Sequence, residues 1–212
     1  MRLRFLTFIA LAWPPLAAHA GEWLFDVTLD AIPIGTHRFV LRDDGATQHV
    51  TSDAHFRVRL VVFDAYRYDH HADETWQGGC LATLDSTTVE RGKTTTVAGR
   101  LEAGRFRIDG PRGREDAGPC AMTFAYWNPR IFAQHVLVNP QTGAPTPVTI
   151  RPLDASQVRV RGRAEQASGY RIDTDKTRIE ARYSSTGEWI GLRSTTHEGH
   201  VLDYRLREGG RE

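Results

Sequence analysis

Strict two-residue alternation constrains this chain more than any other feature. In the stretch from His49 to Val62, Val50, Ala54, Phe56, Val58, Leu60 and Val62 fall on one side. His49, Thr51, Asp53, His55, Arg57 and Arg59 fall on the other. A strand places successive side chains on opposite faces, so this pattern predicts a strand with one buried and one wet face, as in antiparallel sheets. The same period recurs through Trp23, Phe25, Val27 and Leu29, through Gly35 to Arg42, and through Tyr66 to Gln77. Further strands are predicted at Leu81–Glu90 and Thr94–Glu102 around Arg91-Gly92-Lys93, at Arg105–Asp109, Pro147–Leu153, Gln157–Glu165, Tyr170–Asp173, Thr177–Ser184, Trp189–Thr196 and Val201–Arg207. Gly110 to Pro119 reads as a polar loop and Asn139 to Pro147 as a loop rich in proline and glycine.

About a dozen antiparallel strands predict an all-β domain, either a barrel or a strongly curled sheet with a partly open side; closure would also remove the exposed edges that aggregate. One short helix is predicted from Asn128 to Val138, with Asn128 as N-cap and Pro129 in the first helical position. A two-sheet sandwich is the alternative.

The first 20 residues stand apart. Arg2 and Arg4 precede an apolar run from Phe5 to Leu16, and Ala18-His19-Ala20 forms a small-residue cleavage signal before Gly21. That order predicts a secretory signal peptide over 1–20, cut after Ala20, and a single exported domain over 21–212. The apolar run is too short to span a bilayer, and no later segment is apolar enough. The protein is therefore predicted to be periplasmic or secreted. The formal charge of +1 falls to −1 when the leader's two arginines are removed. A near-neutral chain has no general electrostatic attraction for nucleic acid.

Cys80 and Cys120 are the only two cysteines. Export to an oxidising compartment predicts a disulfide between them. Their separation, without a Cys-x-x-Cys pair, is a poor zinc signature, and no metal or cofactor is predicted. The pairing would bring the end of the Tyr66–Gln77 strand to the one stretch that breaks the alternation, Cys120 to Pro129, where Phe124, Tyr126 and Trp127 precede an Asn-Pro turn.

Two groups of residues are candidates for function. Alternation puts Tyr66, Tyr68, His70, Ala72, Glu74 and Trp76 on one face, so two ionisable groups share an aromatic surface. Arg67, Asp69, His71, Asp73 and Thr75 take the solvated face. His70 and Glu74 lie about 13 Å apart along a straight strand, too far for a direct dyad. Tyr126 and Trp127, with Asn128 and Gln134 as polar contacts, would line the mouth of an apolar pocket; the structural alternative is a barrel plug with an ordinary helix cap. Arg159, Arg161 and Arg163 share one face of a predicted strand and read as solvated. Phosphate loops, zinc-protease helices and nucleophile elbows are missing from the sequence, and no catalytic residue can be named.

Several segments together resemble a family of exported bacterial proteins described only as a domain of unknown function. They are Trp23 to Asp30 with Pro33-Ile34-Gly35; Tyr68 and His70 with Glu74, Trp76 and Gly79-Cys80-Leu81; Cys120 with Phe124 to Pro129; and Gln134 with Asn139 to Gly143. Tyr183, Gly187 to Ile190, Gly199, Tyr204 and Leu206 look like the end of related exported β-barrel-like domains. Asn139-Pro140 departs from the pattern, since a less restricted residue is expected in place of the proline. The resemblance implies an exported β-rich fold and no particular chemistry.

These readings predict a binding or carrier protein for an apolar or amphipathic, lipid-derived small molecule. Its contacts would be Tyr66, Tyr68, His70, Glu74, Trp76, Tyr126, Trp127, Asn128 and Gln134. The alternatives are an enzyme using His70 or Glu74 as general acid or base, and an envelope scaffold acting through its surface. A protein partner is left open.

Overall fold

The computed structural model describes residues 19–60 and 63–211. Most of the predicted signal peptide, residues 1–18, and the predicted strand residue Val62 lie outside the described residues. The chain runs β1 (His19–Leu29), β2 (Ile32–Asp43), β3 (Thr47–Leu60), β4 (Phe63–Gln77), β5 (Cys80–Glu90), β6 (Lys93–Glu102), β7 (Arg105–Gly110) and β8 (Gly113–Asp116). After an irregular segment carrying β9 (Val136–Val138) and β10 (Pro145–Pro147), it continues as β11 (Thr149–Val160), β12 (Arg163–Asp173), β13 (Thr177–Ser184), β14 (Trp189–Thr196) and β15 (Val201–Arg211).

Thirteen strands form one antiparallel sheet in the order β11-β12-β13-β14-β15-β1-β2-β3-β4-β5-β6-β7-β8. Within β1–β8 and within β11–β15 neighbours in sequence are neighbours in space, and β15 returns beside β1 to join the two halves. The alternation explains the result. Trp23, Phe25, Val27, Val50, Ala54, Phe56, Ala72 and Trp76 all belong to one buried core, while the intervening residues of their strands face outward. The outer face carries ion pairs such as Arg57–Asp69 and His71–Asp53.

The sheet curls but does not close. Among the described residues β8 and β11, its two edges, do not pair. Residues 117–148 occupy the gap instead and reach both halves. On one side Cys120 is joined to Cys80, Leu81 N donates to Ala121 O at 2.9 Å, and Arg130 Nη1 donates to Gly78 O at 2.6 Å. On the other, the Tyr183 hydroxyl donates to Tyr126 O at 2.7 Å, and Phe132 stacks on Tyr170 with centroids 3.8 Å apart. Gly143 fits here for two reasons: its φ is +70°, and a Cβ would come within 2.8 Å of Ile108 Cγ2.

Three local expectations are corrected. Asn128 to Val138 is not an α-helix, and none occurs among the described residues. It is a 3₁₀ turn over Pro129–Ala133, followed by the strand β9. Asn128 does cap it, accepting from Arg130 N, and Pro129 sits in its first turn. The turn stops because Leu137 and Val138 are needed in the core, where Val138 N donates to Met122 O at 2.7 Å. The predicted strand Gln157–Glu165 is two strands. Arg161 and Gly162 adopt φ values of 48° and 78°, the left-handed pair of a tight hairpin turn, so Arg159, Arg161 and Arg163 do not form a stripe on one strand. The polar loop Gly110–Pro119 contains the short edge strand β8.

Candidate functional site

The curl encloses a cavity of about 710 Å³. Its floor comes from β2, β3 and β4, and its far wall from β13, β14 and β15. The floor is open because its central residues are small. Ser52 and Ala72 lie in register beside Phe39, and Ala54 lies in register between His37 and His70. The roof is the inserted segment. Trp127 lies edge-on to Trp76 with centroids 5.3 Å apart, and Tyr126 leans on Trp189 at 5.3 Å. The cavity reaches solvent among Arg112, the Gln141-Thr142 loop and the Asp175-Lys176 turn, whose residues are exposed.

Polar groups inside are few and individually held. Glu74 is 8% exposed, and its register partners Val50 and Leu84 are apolar. Trp76 Nε1 donates to its carboxylate at 2.9 Å, and the Thr123 hydroxyl makes a second bond. Burial outweighs both bonds and raises its pKa to about 7. His70, 4% exposed, shares a hydrogen bond of 2.9 Å between Nδ1 and Thr88 Oγ1, and burial lowers its pKa to about 4. His37 lies 2.8 Å from Ser52 Oγ through Nε2, and burial, then the charge of His70, lowers its pKa to about 3. Its Nδ1 is buried without a partner. Tyr126 and Tyr204 also line the cavity, and burial raises both phenols well above their usual range.

Of the residues expected at the site, His70, Glu74, Tyr126 and Trp127 line the cavity together. Tyr68 lies behind them, stacked on Phe56 at 5.3 Å, and Trp76 is fully buried beneath Glu74 and Trp127. Tyr66 sits at the rim of β4. Its hydroxyl donates to Glu90 at 3.2 Å, and burial beside that carboxylate raises its pKa to about 12. Asn128 is engaged in capping, and the Gln134 backbone ends the 3₁₀ turn; neither lines the cavity. Sequence reasoning passed over His37, Ser52, Thr123, Trp189 and Tyr204. His37 alternates with Phe39 and Leu41, and that placement was the available signal.

The disulfide performs the predicted juxtaposition. Cys80 follows the β4–β5 turn, Cys120 lies near the start of the inserted segment, and Thr123 and Trp127 thereby meet Glu74 and Trp76. Among the described residues no group of three or more His, Cys, Asp or Glu could hold a metal ion. No helix among them is long and apolar enough to cross a membrane.

Fold and cavity together define a β-barrel-like protein, an open antiparallel curl around an internal cavity. Its overall shape is that of the beta-barrel-like protein of domain of unknown function DUF1849 from Brucella abortus, at a TM-score of 0.64 and 10% identity over 92% of this chain and 98% of that one. At that identity the likeness concerns the fold alone. No curated protein matches the sequence. The chain belongs to the family described as a domain of unknown function, DUF6134, which matches residues 25–207.

Proposed function

We propose that this is an exported binding or carrier protein that holds one apolar or amphipathic, lipid-derived molecule in the cavity. The observation that carries the reading is the cavity itself: about 710 Å³, walled by Phe39, Tyr126, Trp127, Ile179, Trp189 and Leu192, with a few fixed polar groups. Apolar concavities of this size with sparse polar contacts are the usual form of small-molecule sites. The Cys80–Cys120 bond and the signal-like leader support export to an oxidising compartment. The scaffold alternative requires a solid core, which the cavity argues against. The acid–base alternative is weakened by the spacing of His70 and Glu74, about 13 Å along β4.

The test is a titration of the full protein with 1-aminoanthracene, a dye that brightens in apolar sites. Saturable binding of one dye per chain is expected, and Ala72→Phe, which fills the floor, should abolish it while the circular dichroism melt stays cooperative. Non-saturable binding, or binding unchanged in Ala72→Phe, would refute the reading.

A further inference from the structure

The cavity floor carries a polar pattern that limits what the bound molecule can be. β2, β3, β4 and β5 place His37, Ala54, His70 and Thr88 in a single register row. The two imidazoles therefore stand on either side of one methyl group, two strand spacings or about 9.6 Å apart at the backbone. Each ring is oriented by a hydroxyl, His37 by Ser52 and His70 by Thr88. In each ring the hydroxyl engages one nitrogen. His37 Nδ1 is buried without a partner, and His70, engaged through Nδ1, lines the cavity with the rest of its ring. A buried ring nitrogen left unpaired is unfavourable, and native proteins retain few of them.

The surroundings disfavour an ionised guest. Burial holds both imidazoles neutral and pushes Glu74 toward its protonated form, so an anion inside would be desolvated without a counter-charge. The mouth supplies no excess charge either: Arg112 is engaged by Glu115 at 2.6 Å, and Lys176 follows Asp175. A serine or threonine hydroxyl can donate or accept. Each imidazole can therefore present either an N–H or a lone pair to the cavity, as a carbonyl or a hydroxyl requires.

We propose that His37 and His70 clasp an uncharged oxygen function, a hydroxyl or carbonyl, so that the cavity takes a neutral amphiphile such as a long-chain alcohol or ketone rather than a fatty-acid or phospholipid anion. The proposal rests on the binding reading above. His37 stacks on Phe39 with centroids 4.1 Å apart, and a shift of that half-buried ring opens Nδ1 to the guest.

The full protein is titrated with dodecan-1-ol, dodecan-2-one, dodecanoate and the pure hydrocarbon pyrene at about pH 8, where dodecanoate is ionised. Trp127 and Trp189 fluorescence gives the readout for the dodecyl probes, and pyrene's own emission gives its binding. The alcohol and ketone should bind about tenfold more tightly than dodecanoate. The double variant His37→Phe/His70→Phe should lower alcohol affinity about tenfold more than it lowers pyrene affinity. If the double variant does not melt cooperatively, Ser52→Ala and Thr88→Val, which keep both rings, should each weaken alcohol binding severalfold. Dodecanoate binding as tightly as the alcohol, or alcohol affinity unchanged in the variants, overturns the proposal while the binding reading stands. If neither pyrene nor any dodecyl probe binds the parent protein, the binding reading falls and the proposal with it.

Discussion

Replacing Glu74 by glutamine should stabilise this protein, and by an amount that depends on pH. The carboxyl has an ordinary pKa of 4.5, and burial raises it to about 7 in the fold. The folded chain thus holds this proton more tightly than the unfolded chain does. Below about pH 4.5 the group costs nothing. Between about 4.5 and 7 the penalty for ionising the unfolded chain's carboxyl but not the folded one grows, and above about 7 it is complete, at about 3 kcal/mol. Glutamine has no charge to desolvate. Its amide oxygen can accept from Trp76 Nε1, and its NH₂ can donate to the Thr123 hydroxyl, the two partners of the carboxylate. Urea unfolding, followed by tryptophan fluorescence across a pH series, gives the difference directly provided the denaturant slope is unchanged. The variant should be more stable by about 2–3 kcal/mol near pH 8 and by less than about 1 kcal/mol near pH 5. A difference independent of pH, or a variant less stable than the parent near pH 8, would refute the claim that burial dominates this carboxyl.

The buried histidines act on the other limb. His37 and His70, depressed to about 3 and about 4, stay neutral in the fold while the unfolded chain's imidazoles protonate below about 6.5. Stability should therefore peak near pH 6.5 and fall on acidification, and His37→Phe should flatten that fall in the same pH series. Reducing the Cys80–Cys120 bond, which spans a sequence separation of 40, should cost about 4 kcal/mol by chain entropy. In a scanning melt with and without reductant, that corresponds to a drop of roughly 8–16 °C. Tyr183→Phe removes the hydroxyl that ties the inserted segment to β13 through Tyr126 O, and should cost about 1 kcal/mol in urea unfolding.

Much of this molecule is written in its alternation. The inward set of β4, with His70 and Glu74 among aromatics, follows from counting residues by twos, because burial on one face of a sheet imposes that period. The disulfide followed from an isolated cysteine pair, and with it the meeting of β4 and the aromatic stretch. Closure was not legible. Whether edges pair or are bridged depends on the length and shape of residues 117–148, whose partners lie far away in sequence, at Gly78, Ser86 and Tyr183. The helix expectation failed because an Asn-Pro cap signals a helical start without specifying its length, and Leu137 and Val138 were claimed by the core. The turn at Arg161-Gly162 was hidden because arginine recurs at every second position straight through it, at Arg159, Arg161 and Arg163. Within the cavity, large residues were easier to see than small ones. Ser52, Ala54 and Ala72 create the space by what they lack, and only their shared register reveals it.

On the reading proposed above, the curl is a container. The decisive experiment is native mass spectrometry of the protein expressed from its full sequence and released gently from cells. A bound species of one small apolar or amphipathic molecule per chain is expected, lost on organic extraction and regained on exposure to a lipid extract. A protein that emerges at its bare mass, and remains there after that exposure, would contradict it.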